Sequence, residues 1–284
     1  MRIFYTLIAL LLTPTIILAQ EKAIAKVHYN FLHINDTTKR DQPQKDEVVL
    51  YLGHTSSFYK SYSDERTKQS IDAQKLLPDY SGHMVLNLYT TPIKNFYLRY
   101  PNENRLVDIQ CISSSFDAYY TEGSDLSQVW ELKNETKEIG GYSCQQATTS
   151  FNGRNYIAWF TTELPFQAGP WKLNGLPGLI LSAYDEAREV VFEYAGFDAV
   201  DSQEPFFIEV PFYVTKGTKA EIAKMYDLFQ DDEAKYFKAL NSSGKLAIAN
   251  SYYGIDYSKH NFDFHFDEDY KPSFVTNNPI EKVK

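Results

Sequence analysis

Near its C-terminal end the chain reads His260-Asn-Phe-Asp-Phe-His-Phe-Asp-Glu-Asp269. In an extended strand Phe262, Phe264 and Phe266 fall on one side, and Asp263, His265 and Asp267 on the other. Carboxylate and imidazole are ligands for a divalent cation, and a metal-bound water would give this face hydrolytic chemistry. Asp263, His265 and Asp267 are therefore the candidate metal residues. Same-face neighbours on one strand stand about 6.5–7 Å apart, so a site here needs further ligands from a neighbouring strand. The competing reading is an amphipathic strand with a solvated acidic face.

Other catalytic patterns are missing. There is no His-Glu-x-x-His, no Cys-x-x-Cys, no EF-hand loop, no Gly-x-Ser-x-Gly elbow and no phosphate-binding glycine loop. Ser113-Ser114-Ser115 has no visible activating base, and Asp231-Asp232-Glu233 reads as helix N-terminal charge. No catalytic residue and no cofactor is assigned. Cys111 and Cys144 are the two cysteines. They either bridge, closing a loop of about 34 residues, or pack as unpaired thiols.

Aromatic residues offer a different chemistry. With 22 Tyr, 19 Phe and 3 Trp, there are enough rings to fill a core and also to line a concave surface for a hydrophobic, glycan or peptide ligand. Trp159, Trp171 and the turn-rich stretch with Gly175, Pro177 and Gly178 are the candidate binding residues.

The elements that must hold these residues have mostly period two. Strands are expected over Ala23–Ile34, Arg105–Ile112, Gln128–Leu132, Ser143–Phe151, Asn155–Thr162, Leu179–Tyr184 and Val190–Phe197. Glu47–Leu52 with Ser56–Tyr62, and His83–Thr91 with Asn95–Tyr100, read as hairpins, and Asn152-Gly153 is a strong hairpin turn. Asp36–Asp46 and Ser63–Ser81 read as loops. Thr218 can cap a helix over Lys219–Gln230, continued by Asp232–Leu240. These elements predict a mainly β fold: a strongly curved antiparallel sheet or incomplete barrel with a C-terminal helical arm packed on it. A single domain is expected over residues 20–284.

The 284 residues carry 28 basic and 37 acidic side chains, a net charge of −9. That balance argues against a nucleic-acid partner, which needs clustered cations. Met1–Ala19 has the form of a secretory signal peptide: Arg2, an apolar run from Ile3 to Leu12, and Ala19 at the cleavage position. No later stretch is long and apolar enough to span a membrane. The mature chain is expected to be exported, periplasmic or extracellular, in a Gram-negative envelope.

Gly175-Leu176-Pro177-Gly178-Leu179-Ile180 resembles the signature of the GLPGLI family of exported Bacteroidetes-type proteins. Upstream, Glu135-Thr136-Lys137, Tyr142, Cys144, Trp159-Phe160-Thr161-Thr162 and Leu164-Pro165 follow the order of that family's core block, and Asn278-Pro279-Ile280-Glu281 resembles its usual ending. The resemblance implies an envelope protein found beside outer-membrane transport proteins, and it implies no reaction. The expected function is an exported accessory or binding protein whose concave face holds a ligand, or whose free edge accepts a partner's strand. The alternatives are the metal-dependent hydrolase and a structural partner of an outer-membrane transporter.

Overall fold

The computed structural model describes residues 21–88, 93–125, 127–255, 261–266, 270–273 and 275–282. The expected signal peptide lies outside the described residues.

In chain order the elements are β1 (Glu21–Lys22), β2 (Ala25–His33), β3 (Gln44–Leu52), β4 (Ser57–Ser61), α1 (Ser63–Lys75), β5 (His83–Leu88), β6 (Asn95–Tyr100), β7 (Arg105–Cys111) and β8 (Ala118–Ser124). They continue with β9 (Glu131–Ile139), β10 (Tyr142–Phe151), β11 (Arg154–Thr161), β12 (Leu179–Asp185), β13 (Val190–Ala199), β14 (Phe207–Ile208) and β15 (Thr215–Lys216). The helices α2 (Lys219–Asp231), α3 (Glu233–Ser242) and α4 (Lys245–Tyr253) and the strand β16 (Asn261–Phe266) complete the series.

Twelve strands form one sheet in the order β15-β8-β7-β6-β4-β3-β2-β13-β12-β11-β10-β9. Every pairing is antiparallel except the short β15–β8 contact. The end strands do not meet, so the sheet is open and not a closed barrel. Register shifts at Gln145/Ala147, Trp159/Phe160 and Tyr194/Gly196 add local twist to it.

Strand alternation gives the sheet two faces. Val27, Tyr29, Leu50 and Tyr59 join the larger core, which the 164–181 segment covers with Trp171, Leu173 and Leu176. Val49, Phe58, Phe96, Leu98 and Ile109 join a second core on the other face. The helical arm is where the capping pattern places it. Thr218 and Glu221 form a reciprocal capping box, and Asp232, extended at φ −149°, separates α2 from α3.

Several expectations are corrected. His83–Thr91 and Asn95–Tyr100 do not form a hairpin: β5 pairs in parallel with β16, and β6 lies between β4 and β7. Met84 and Leu86 of β5 instead enclose a small core with Ile71 and Ile255, which draws the strand toward α1. Residues 63–75 are helical, not a loop. Only Ile71 is buried there, so the segment has no apolar stripe to betray it, and the Lys68–Asp72 pair and acidic first turn support it instead. The strand expected at Gln128–Leu132 begins at Glu131 and runs to Ile139. Gln128 and Trp130 are held outside it by hydrogen bonds to the Lys172 and Asn174 carbonyls.

Candidate functional site

On β4, β6 and β7, Tyr59 lies opposite Tyr97, and Tyr97 opposite Asp108; two pairs along, Asn95 faces Gln110. Period two puts all five on one face of the sheet, where they line a cavity of about 790 Å³. The segment before β12 supplies one wall through Trp171 and Lys172, α2 another through Ile222 and Tyr226, and residues 279–281 a third.

Trp171 adopts φ +55°, a left-handed conformation that is costly for a bulky side chain. Its ring is 3% exposed and held edge-on against Phe151, with centroids 5.6 Å apart, and tilted against Tyr156 at 6.0 Å. The next residue, Lys172, places its ammonium 4.9 Å from the Tyr97 ring centroid and pairs with Glu281. Strain at Trp171 is thus the local condition under which an indole and a lysine enter one cavity.

Burial raises the Asp108 carboxyl above its ordinary value; the Lys172 cation and a 3.2 Å bond from Asn95 Nδ2 oppose that shift. The Tyr59 hydroxyl is buried without a hydrogen-bond partner among the described residues. Beside it, Asp46 is pushed up to about 7 by burial, against hydrogen bonds from Ser61 and the Ile93 amide. The cavity therefore combines four large aromatic rings with three carboxyl groups, three side-chain amides and three ammonium groups. Hydroxyl-rich ligands are held by such a set: ring faces take apolar C–H surface, and the polar groups take hydroxyls.

The third wall is fixed by a buried cation. Arg154 follows the Asn152-Gly153 turn, and its side chain is 1% exposed. Its guanidinium donates to Asp185 at 2.6 Å, to Asn278 Oδ1 at 2.8 Å, and to the Pro279 and Ile280 carbonyls at 2.7 and 3.0 Å. His33 Nε2 contacts the Asn278 carbonyl at 2.8 Å, and burial holds its pKa below the ordinary histidine value. Asn35 Nδ2 donates to the Ser273 and Val275 carbonyls. Asp36 accepts from Thr38, Ser273 and Asn277, which lowers its pKa to about 2. The tail from Ser273 to Glu281, without periodicity in the sequence, is thus docked through polar bonds.

Of the expected binding residues, only Trp171 lines this cavity. Trp159 sits on β11, 7% exposed, with the Lys137 ammonium 4.3 Å from its ring centroid. Gly175, at φ +87°, makes the turn that lets Trp130 Nε1 bond Asn174. A side chain on Gly178 would collide with the Thr161 carbonyl, so that glycine lets the segment lie directly on β11. Pro177 is exposed between them.

Cys111 and Cys144 do not bridge. Each is a free buried thiol, in different cores. Desolvation pushes the Cys144 thiol up to about 11 and Cys111 higher still. Asp263 accepts a 2.9 Å contact from His83 Nε2, both half-exposed, so the parallel β5 does supply a neighbouring imidazole. Asp267 and the His265 side chain lie outside the described residues. Among the described residues no three His, Cys, Asp or Glu side chains converge as a metal site.

Sequence reasoning missed Tyr97, Asp108, Lys172 and Arg154. Asp108 carried a signal, an acid inside the apolar strand Leu106-Val107-Asp108-Ile109. The others are ordinary residue types until pairing across strands brings them together.

The sequence profile of the family described as "N-glycanase peptide, N-terminal domain" matches residues 62–192, slightly under half of the chain. Two solved structures, titled "Structure of PNGF-II in P21 space group" and "Structure of PNGF-II in C2 space group", are each 14% identical with a TM-score of 0.48. The matches cover 72% of this chain and 33% and 32% of theirs, so the chain spans about a third of the solved chains' length. A search of curated proteins finds no match.

Proposed function

We propose that this chain is an exported, GLPGLI-type envelope protein that binds a saccharide in the Tyr97/Trp171/Asp108 cavity. The observation that carries this is the convergence of aromatic rings with Asp108, Asn95, Gln110 and Lys172 around one open cavity. The profile match to an N-glycanase peptide's N-terminal domain supports a glycan over the hydrophobic or peptide ligands that the aromatic content alone would allow. Cleavage after Ala19 would release the binding protein into the periplasm or to the cell surface, where N-terminal sequencing of the mature chain locates the cut. A stable complex with an outer-membrane transporter would add a partner to this reading without moving the site.

The test is titration of the mature chain with N,N′-diacetylchitobiose, followed by tryptophan fluorescence and calorimetry. A dissociation constant on the order of 0.1–1 mM is expected. Trp171→Ala and Asp108→Asn should each weaken binding at least about tenfold, as loss of a stacking face or of a buried polar partner does. Absence of binding, or binding indifferent to both substitutions, overturns the reading.

The metal-dependent alternative has one observation in its favour, the His83–Asp263 contact. Stoichiometric zinc or manganese retained through dialysis, and lost in both His83→Ala and Asp263→Ala, would favour it.

A further inference from the structure

A second cavity, of about 470 Å³, lies on the opposite face of the same strands. Phe58 and Lys60 of β4, Phe96 of β6 and Ile109 of β7 line it, and they are the alternate residues to those of the first cavity. Tyr51 and Phe206 stack along one side, their ring centroids 3.6 Å apart and 4° from parallel. Tyr213 and Tyr252 add further ring surface, and Phe212, 88% exposed, stands at the rim.

The charges there are unequal. Four carboxylates, Glu65, Asp72, Glu204 and Glu209, face two ammonium groups, Lys60 and Lys68. Lys60 is 8% exposed and already paired, at 2.9 Å from Glu65 Oε1 and 4.0 Å from Asp64. Glu65 Oε2 is buried and lacks a hydrogen-bond partner among the described residues. A carboxylate oxygen removed from water without a donor is costly. What the cavity lacks is a donor that carries positive charge and an apolar body that fits between rings.

We infer that this cavity binds a small organic ammonium ion, its N–H groups donating to Glu65 Oε2 and its carbon body held by the Tyr51/Phe206 and Phe96 rings. The inference is independent of the saccharide reading, since the two cavities share no side chain.

The test uses the mature chain and three isosteric probes: phenethylamine, protonated at pH 7, neutral 2-phenylethanol and anionic phenylacetate. Calorimetry should give a dissociation constant on the order of 1 mM or tighter for the amine. The alcohol and the acid should bind at least about tenfold more weakly. Amide signals around Lys60, Phe96 and Phe212 should shift in the NMR spectrum, and those around Tyr97 and Trp171 should not. Glu65→Gln should weaken the amine at least about tenfold. Because that change also removes a partner of Lys60, Phe212→Ala, at an exposed position, provides the second arm and should weaken it at least about threefold. Equal binding of the alcohol, shifts confined to the first cavity, or an unchanged affinity in Phe212→Ala overturns the inference.

Discussion

Tyr59 and Lys60 are adjacent in the chain and line cavities on opposite faces of the sheet. The Tyr59 side has amides, one raised carboxyl and as many ammonium groups as carboxylates. The Lys60 side has more rings, fewer amides and an excess of acid. One set of strands therefore presents two chemistries, because every second side chain points to the same face. The faces also differ in what closes them. Trp171 and a docked tail cover the first, whereas α1 and the 204–214 segment cover the second.

Arg154→Ala should break that comparison hardest. It leaves Asp185 buried without its cation, leaves Glu189 to Arg40 and Lys282, and frees four bonds to the tail. A loss of about 3–5 kcal/mol is expected in urea unfolding. Saccharide affinity should fall with it, because the tail forms a wall of the first cavity only, while phenethylamine titration should be retained at temperatures where the chain is folded.

Gly178→Ala comes next. A methyl group there meets the Thr161 backbone, and about 1–3 kcal/mol of destabilisation is expected from thermal melts. This would show that the glycine of the signature acts through packing on β11.

Asp46→Asn tests the carboxyl buried beside Tyr59. Its carboxyl is raised to about 7 in the fold, so the native state holds a proton that the unfolded chain releases near pH 4. That contribution is present at low pH and lost as pH rises through about 7. The Asn variant should therefore gain about 1–2 kcal/mol over the parent at pH 8, with the gain vanishing near pH 4. The tail responds in the opposite sense. His33 and Asp36 both have depressed values, so their contributions are present at high pH and lost as pH falls, first below 6.5 for His33 and then toward 2 for Asp36. Hydrogen-exchange protection factors of residues 275–282 should fall on acidification, while those of β3 and β4 should not. The smallest expected effect is zero: with two free thiols in separate cores, a reductant should leave the melting temperature unchanged.

The strands of the larger core were legible because Val27, Tyr29 and Phe31, or Leu179, Ile180 and Leu181, are apolar in the rhythm that a buried strand requires. Asn152-Gly153 fixed its hairpin by backbone preference alone, and the cap residue Thr218 announced α2. What escaped was held by polar contacts between distant residues. The helix α1 buries only Ile71, and β9 buries no side chain at all. The tail is anchored through Arg154, His33 and Asn35, whose partners lie more than a hundred residues away. The site suffered the same way. Trp171 could be singled out as an aromatic beside a glycine-rich turn, but Tyr97, Asp108 and Lys172 become one site only through pairing of β6 with β7 and an unusual backbone angle at Trp171.

The outer strand β9 has a consequence for assembly. Nine residues of backbone lie along the sheet's open edge with only β10 on one side, a template on which another chain's strand could grow. Glu131, Lys133, Glu135, Lys137 and Glu138 stand along it. Two copies meeting there would have to strip water from that row of charges before a single ladder bond formed. Charge along an exposed edge thus opposes the strand-by-strand pairing from which fibres grow.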